Sequence, residues 1–254
     1  MTDYPALHLD HILIHNGLGS VRSVKTLLRN HIICVNGVRN TDGRVLVSPT
    51  KDIVELDGKA LELHNDVYLM MNKPQNTVCT TLSDRHKTVF DLIDEKYRSI
   101  KGLGKLHSVG RLDAHTEGFV LLTTNGNFSH RLTSPETHVT KTYLVYLRDK
   151  VDEKQKIEYS EKAKAGIAMA AEKKAKEALA KPAALEWIAE NEEYTACKLT
   201  ISEGKFHQVK RMFLALGNEV VFLKRLGIGS LYLGENLQLG EYSELSADEL
   251  ALLL

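Results

Sequence analysis

Hydrophobic residues follow two different periods along the chain, and their mixture predicts the fold class. Residues 24–28 place apolar side chains at the i, i+3, i+4 spacing of a helix, and residues 209–216 do so again before Gly217. Lys141–Leu147 alternates between two faces, as a strand does. Because strand-like and helical segments are mixed irregularly rather than in a repeating β-α-β order, the pattern predicts an α+β fold.

The first sixty residues predict a compact helical unit with a small hairpin, and we set its limits at residues 1–62. Asp10 is expected to cap a first helix and Ser23 to cap a second one. The apolar strand that follows runs into Asn36-Gly37, a pair that favours a tight two-residue hairpin turn.

Residues 63–254 predict a second and larger unit. Residues 67–71 and 119–122 have the composition of buried strands, and residues 196–202 alternate like a further strand. Residues 161–181 are rich in Ala, Lys and Glu, so local propensity predicts an exposed helix there.

Basic residues are unevenly distributed, although Lys and Arg together number 33, as do Asp and Glu, for a net charge of zero. Residues 18–51 contain six Lys or Arg against one acid, and residues 198–225 contain six against two. Such local basic faces can bind the phosphate groups of a nucleic acid. From charge alone, an ordinary solvated surface explains these clusters equally well.

Several protein classes are excluded by composition. No stretch approaches the roughly 18 consecutive apolar residues of a membrane span, and the N-terminus lacks the basic start and apolar core of a signal peptide. Cys34, Cys79 and Cys197 are odd in number and far apart, which is typical of a reducing compartment rather than of a disulfide framework. We therefore expect a cytoplasmic protein that has no contact with a membrane.

The segment between Gly110 and Gly118 holds the first candidate for chemistry. Arg111 and Asp113 stand between these glycines, just before an apolar strand, as in a loop that presents a carboxylate at the rim of a sheet. An aspartate beside a cation can serve as a nucleophile or a base. For an isolated pair, an ion pair that only ties down a turn is the commoner outcome.

Two later motifs add an aromatic ring and a cationic helix start. Lys141 and Tyr143 share one face of a strand, so both can point into one cleft, where the ring could stack on an unstacked base or simply belong to the core. Residues 203–213 form a glycine turn and the start of a helix, which could offer backbone N–H groups and cations to phosphate or could merely face solvent. The polar residues of this start are Lys205, His207, Gln208, Lys210 and Arg211.

Other chemistries find no support in the sequence. There is no Gly-x-x-x-x-Gly-Lys-Ser/Thr phosphate loop, no Gly-x-Gly-x-x-Gly dinucleotide motif and no Gly-x-Ser-x-Gly nucleophile elbow. The 11 histidines show no recognised spacing of metal ligands, so we expect no metal site.

Together and in this order, the three motifs resemble the pseudouridine synthases that modify bacterial ribosomal RNA. The N-terminal unit looks like the alpha-L RNA-binding domain that many of these proteins carry. The resemblance therefore implies that this small domain precedes a catalytic domain built on a mixed, largely antiparallel sheet flanked by helices. Further matching segments are Asn72-Lys73-Pro74 and residues 89–92, 116–118, 181–183 and 223–229.

The resemblance implies a role for four residues of the candidate site. Asp113 would be the essential aspartate, which attacks the anomeric carbon of the ribose or removes the 2′ proton. Arg111 would hold the flipped nucleotide, Tyr143 would stack on the uracil, and Lys205 would be the cation paired with the aspartate. The reaction is an isomerisation, so neither a cofactor nor a metal is implied.

RNA contacts and target are predicted from the resemblance and from the basic faces together. The run at residues 130–135 favours 16S over 23S ribosomal RNA as the substrate. We expect the enzyme to be a monomer that acts on this RNA either free or within a small-subunit assembly intermediate. The alternatives are a 23S enzyme of the same family and a non-catalytic ribosomal-RNA-binding assembly factor. The predicted RNA contacts are Arg22, Lys25, Arg29, Asn36, Lys73, Lys141, His207, Gln208, Lys210 and Arg211.

The resemblance and local propensity disagree over one segment. The family pattern places a strand around residues 166–169, inside the stretch for which composition predicts a helix. We expect the strand at residues 166–169 and a helix over residues 170–180.

Overall fold

The fold is α+β, as the hydrophobic pattern predicts. The computed structural model describes residues 6–49, 51–61, 63, 66–98, 105–173, 175–188 and 194–253. Within these ranges one hydrophobic cluster belongs to the N-terminal segment, and two further clusters cover opposite faces of a central sheet.

The N-terminal segment contains two helices and two small sheets around its own apolar cluster. Strands β3-β2-β5-β6 form an antiparallel sheet in that order, and β1 pairs with β4. The elements are β1 (Leu7–His8), α1 (Leu9–His15), α2 (Val21–Asn30), β2 (Ile33–Val35), β3 (Val38–Arg39), β4 (Leu46–Val47), β5 (Val54–Leu56) and β6 (Lys59–Ala60).

Both helix caps in this segment differ from the sequence prediction. His8 stands at the N-cap of α1 without a side-chain hydrogen bond, and Asp10 lies inside the first turn. Ser20 caps α2, because its hydroxyl accepts a hydrogen bond from the backbone of Ser23. The Ser23 hydroxyl in turn accepts one from the backbone of Ser20, so Ser23 is the reciprocal partner in a capping box.

The predicted hairpin at Asn36-Gly37 is confirmed. Both residues adopt positive φ values, 52° and 78°, as a type I′ turn requires. The Asn36 side chain donates to Asp52 at 2.8 Å and accepts from the backbone of Ile53 at 2.9 Å. The amide for which we predicted an RNA contact is thus already hydrogen-bonded beside the turn.

The larger part of the chain builds the central sheet and the helices that cover it. A 3-10 helix at Val89–Leu92 adds to the regular elements of this part. These elements are β7 (Tyr68–Lys73), β8 (Thr77–Val78), β9 (Lys87–Thr88), α3 (Glu95–Arg98), β10 (His107–Ser108), β11 (Glu117–Thr123), α4 (Gly126–Thr133), β12 (Lys141–Leu147), α5 (Glu153–Ala165), β13 (Ala168–Met169), β14 (Ala178–Leu179), β15 (Ala184–Trp187), β16 (Thr195–Ile201), α6 (Gln208–Ala215), β17 (Val220–Ile228), β18 (Leu231–Tyr232), β19 (Tyr242–Glu244) and α7 (Ala247–Ala251).

The central sheet is mixed and largely antiparallel, as the resemblance implies. Its strand order is β15-β16-β12-β17-β11-β7-β19, with β10 paired to β11 and β18 to β17. Only the pairing of β11 with β17 is parallel in this sheet of described strands, and it joins two residue pairs, Glu117 with Lys224 and Gly118 with Arg225. Successive side chains of β11 enter the two different apolar clusters, so both faces of the sheet are buried.

The helix that we predicted over residues 170–180 is wrong. Helix α5 ends before Gly166, which has a φ of 98°. Strands β13 and β14 then form an antiparallel hairpin. Ala and Lys favour a helix locally, but Met169 and Ala180 are buried in the main core, and tertiary burial outweighs weak local propensity. The strand that the resemblance places at residues 166–169 is confirmed.

Candidate active site

The loop that carries Asp113 is fixed by its backbone. Leu112 is buried in the core, and its N–H and carbonyl both lie within weak hydrogen-bonding distance of the Cys79 thiol, at 3.5 and 3.8 Å. The next residue but one, Ala114, accepts a hydrogen bond from the backbone of Asn76 at 2.7 Å. The Asp113 side chain remains 36% exposed. Contacts of the Leu112 and Ala114 backbones therefore hold the loop, and the Asp113 carboxylate is not needed for that purpose.

Lys73 lies beneath this loop and is fully buried. Its ammonium donates to the carbonyl oxygens of Pro74 at 2.9 Å and Ala114 at 3.4 Å. Burial lowers the pKa of Lys73 to about 8, an effect that the neighbouring Cys79 and Asp113 partly oppose. The Lys73 ammonium, for which we predicted an RNA contact, has no exposed surface here and instead supports the loop that carries Asp113.

A cavity of about 180 Å³ opens beside Asp113. Small-molecule sites usually enclose about 300–1,000 Å³, so this space suits a single ring rather than a long ligand. The four residues for which the resemblance implies a catalytic role all line it, together with four of the predicted RNA contacts. These residues are Arg111, Asp113, Tyr143, Lys205, Lys141, His207, Gln208 and Lys210.

Asp113 faces a histidine rather than the neighbouring arginine. The Asp113 Oδ1 atom lies 3.6 Å from Nε2 of His207, and the other ring nitrogen, Nδ1, lies 2.9 Å from Oε1 of Glu172. His207 adopts a left-handed backbone conformation at the start of α6, and its ring stacks on Phe206 with centroids 3.7 Å apart. Among the described residues, the close side-chain contact of Asp113 is thus with His207, and the turn-tying pair with Arg111 is not formed.

Lys205 lines the cavity but is not paired with Asp113. Its ammonium forms an ion pair with Glu203, which is buried. The Glu203 carboxylate also accepts from the Lys181 backbone at 2.9 Å and from the Gln208 amide at 2.7 Å. Burial alone would raise the pKa of Glu203, yet the Lys205 ammonium and these hydrogen bonds hold it below the ordinary value. The predicted pairing with Asp113 is corrected to Glu203.

Two further residues that we predicted to touch RNA are buried structural groups. Gln208 donates to Glu203, and its carbonyl oxygen accepts from the backbone of Lys205 at 2.8 Å. The Arg211 guanidinium donates to the carbonyl oxygens of Ala170 at 2.8 Å and Lys176 at 2.8 Å. These bonds fasten the β13–β14 hairpin to helix α6. Both side chains, for which we predicted RNA contacts, are therefore buried and hydrogen-bonded inside the protein.

The predicted cleft that Lys141 and Tyr143 share is confirmed, since both line the cavity. Tyr143 is largely buried and stands directly opposite Arg225 in the β12–β17 pairing. The half-buried Lys141 ammonium donates to the Val139 carbonyl at 2.6 Å. Burial lowers the pKa of Lys141 to about 8, and the positive charge of Arg225 acts in the same direction.

Sequence reasoning missed Glu172 and Arg225. Glu172 was hidden inside the segment that we predicted to be a helix, where nothing links it to His207. Arg225 lies in a segment that carries the family resemblance, and a charge inside an apolar strand was a signal that we did not use. Within the ranges that the structure describes, no cluster of His, Cys, Asp or Glu could hold a metal ion, and no helix is long and apolar enough to cross a membrane.

Comparison with known proteins shows the family to which the chain belongs. Residues 67–215 match the family described as RNA pseudouridylate synthase. The chain is 41% identical over 245 residues to the ribosomal small subunit pseudouridine synthase A of Haemophilus influenzae, covering 96% of this chain and 98% of that protein. It is 42% identical over 227 residues to the Escherichia coli K12 protein of the same name, covering 88% and 90%.

A solved structure extends the likeness to three dimensions. The crystal structure of a pseudouridylate synthase, 40% identical in sequence, superposes with a TM-score of 0.64 over 98% of this chain and 100% of that chain. These similarities place the chain among the isomerases that modify RNA. It belongs to the RNA pseudouridylate synthase family.

Proposed function

We propose that the chain converts one uridine of 16S ribosomal RNA to pseudouridine and that Asp113 is its catalytic carboxylate. The observation that carries the proposal is the ring-sized cavity in which the partly exposed Asp113 carboxylate lies with Tyr143. Support for the 16S target comes from relatives about 40% identical over nearly the whole chain that are named for the small subunit. We further propose that the enzyme acts as a cytoplasmic monomer, on free RNA or on a small-subunit assembly intermediate.

The reaction needs a base that has left its stack. The bond between C1′ and N1 of the uridine breaks, the uracil rotates, and a bond forms between C5 and C1′; one proton leaves C5 and one joins N1. A flipped base would enter the cavity and lie on the Tyr143 ring. Asp113 would then attack C1′ or take the 2′ proton, and Arg111, exposed at the cavity, would hold the nucleotide.

Charge around the cavity suits a polyanion. Five cations line it against the carboxylates Asp113 and Glu203, and Glu203 is already paired with Lys205. The excess of positive charge would attract the phosphates on both sides of the flipped nucleotide. The cations are Arg111, Lys141, Lys205, Lys210 and Arg225.

The target RNA can be tested by finding which pseudouridine is lost from cells that lack the enzyme. In ribosomal RNA from a deletion strain, primer-extension mapping of pseudouridines is expected to miss a single position in 16S RNA, and the gene should restore it. Loss of a position in 23S RNA would show instead the alternative enzyme of the same family. An unchanged pseudouridine map would favour the non-catalytic assembly factor.

The N-terminal residues 1–62 are proposed as an RNA-binding unit of the alpha-L type. Arg22, Lys25 and Arg29 are exposed on α2, off the stripe formed by the buried Val24 and Leu28. Their spacing of three and four residues places them along one face, so they form a row of positive charge.

Charge reversal on this face is expected to weaken RNA binding. In a plot of the logarithm of the RNA-binding constant against the logarithm of the salt concentration, the double variant Arg22→Glu, Lys25→Glu should show a shallower slope. The slope should change by about 0.9 for each phosphate that the protein no longer binds. Filter binding of a 16S fragment at several salt concentrations measures the slope. The double variant Lys154→Glu, Lys164→Glu on α5 makes the same charge change at exposed positions elsewhere and serves as the control. Equal slopes for both double variants would contradict the proposal for residues 1–62.

A further inference from the structure

Arg225 is a buried charge that the rest of the protein satisfies only in part. The side chain is 4% exposed and lines the cavity beside Asp113. Its Nε donates to the Phe119 carbonyl at 2.7 Å, whereas its Nη2 is buried without a hydrogen-bond partner. A buried donor without a partner costs free energy, most of all on a charged group. The guanidinium can therefore donate a further hydrogen bond to an acceptor that enters the cavity.

The other unsatisfied groups point to the same place. Among the described residues, buried side-chain atoms without a partner occur on Asn72, Thr116 and Arg225. Two of these three residues, Thr116 and Arg225, line the cavity. Unpaired polar groups are rare in folded proteins, so their gathering at one cavity indicates a place where a polar ligand completes the hydrogen bonding.

Neighbouring cations increase the need for an electron-rich partner. The positive charge of Arg225 acts on both Lys73 and Lys141 and lowers the pKa of each, in addition to burial. In the part of the chain that the structure describes, no carboxylate forms an ion pair with Arg225. An acceptor that enters the cavity would offset the mutual repulsion of these three cations.

The backbone fixes where the guanidinium lies. Arg225 stands opposite Gly118 in the short parallel contact of β11 with β17, and a Cβ atom on Gly118 would meet the Arg225 backbone nitrogen at 2.9 Å. It also stands opposite Tyr143 on β12. Directly opposite residues of an antiparallel pair project on the same face of a sheet, so the ring and the guanidinium start side by side.

We propose that Arg225 is a further substrate-binding residue, whose guanidinium donates a hydrogen bond to a carbonyl oxygen of the flipped uracil. This inference rests on the proposed function and assigns one residue within the same site. A base is favoured over a phosphate as the acceptor because the cavity suits one ring and the guanidinium is buried in its wall. The phosphates, which stay on the RNA backbone, would remain at the mouth.

The same hydrogen bond would assist the chemistry. When C1′–N1 breaks, the bonding electrons pass to the uracil and spread over N1, O2 and O4. After rotation an electron pair at C5 forms the new bond to C1′, C5 loses its proton and N1 gains one. A cationic donor on O2 or O4 binds the detached ring more tightly than the neutral base, so it lowers the barrier. Loss of one such donor in other enzymes costs roughly 10²–10³-fold in kcat.

A thio-substituted substrate provides the test. Turnover is measured on RNA whose target uridine is unmodified, 2-thiouridine or 4-thiouridine, with the native enzyme and with Arg225→Met. Sulfur accepts a hydrogen bond more weakly than oxygen, so one of the two thio-RNAs should slow the native enzyme. We expect Arg225→Met to lower kcat about 100-fold with KM changed much less, and to lose that sensitivity to sulfur. Lys224→Met, a neighbour on β17 outside the cavity, is the control and should behave as the native protein.

Several outcomes would overturn the inference. Equal sulfur effects in the native enzyme and in Arg225→Met would mean that Arg225 does not touch the base. A raised KM with unchanged kcat would assign Arg225 to a phosphate. If Arg225→Met does not fold, the comparison is made with Arg225→Lys, which keeps the charge but loses the guanidinium fork. A native enzyme without activity on 16S RNA would count against the proposed function instead, because the comparison of variants requires turnover.

Discussion

Replacement of Asp113 by Asn is expected to abolish turnover and to leave RNA binding intact. The amide has the shape of the carboxylate but can serve neither as a nucleophile toward C1′ nor as a base toward the 2′ proton. The loop should keep its structure, since the backbones of Leu112 and Ala114 hold it rather than the Asp113 side chain. The release of tritium from C5-labelled uridine in unmodified ribosomal RNA should fall by roughly 10⁴-fold or more.

Asp84→Asn is the matched control, because Asp84 is exposed and does not line the cavity. It should release tritium at the native rate. The Kd of both variants for 16S RNA should equal that of the native enzyme within experimental error. Turnover by Asp113→Asn at the native rate would contradict the assignment of the catalytic carboxylate.

Replacement of Gly118 by Ala is expected to cause a large loss of stability. Gly118 has a φ of 102°, a region that residues with a side chain rarely adopt. The added Cβ would also meet the Arg225 backbone, at 2.9 Å from the nitrogen and closer still to the carbonyl oxygen. Backbone strain and steric overlap each cost about 1–3 kcal/mol, so the free energy of unfolding should fall by roughly 3–5 kcal/mol. Urea denaturation measures this change.

Gly126→Ala provides the comparison for this variant. Gly126 begins helix α4, has no positive φ, and leaves open space around an added Cβ. The change should leave the stability unaltered or raise it by up to about 1 kcal/mol, since alanine favours helices. Similar urea midpoints for the two variants would mean that β11 and β17 can separate at Gly118 without cost.

Patterns that depend on neighbouring residues were predicted correctly from the sequence. The alternation over Lys141–Leu147 predicts β12, and Asn36-Gly37 predicts the first hairpin, because strand periodicity and turn geometry are local properties. The order of the motifs also indicates the family, since it needs no coordinates. The chemistry proposed for Asp113 follows from that order and not from the isolated Arg111-x-Asp113 pair.

Burial and the choice of partners were decided only by the tertiary structure. Lys73 and Arg211 have the sequence character of surface cations, yet the carbonyls of Ala114 and Ala170, distant in the chain, accept their hydrogen bonds. Lys205 pairs with Glu203 because that carboxylate is buried within its reach. The free energy of a charged side chain depends on what surrounds it in space.

The sequence by itself therefore determined the α+β class, the family and the choice of Asp113 as the proposed catalytic carboxylate, since these follow from local period and motif order. The tertiary structure alone decided which cations of the motifs face the cavity and which support it from within. It also replaced a predicted helix by the β13–β14 hairpin and brought Arg225 beside Tyr143. These features depend on contacts between residues far apart in the chain, and no local pattern records them.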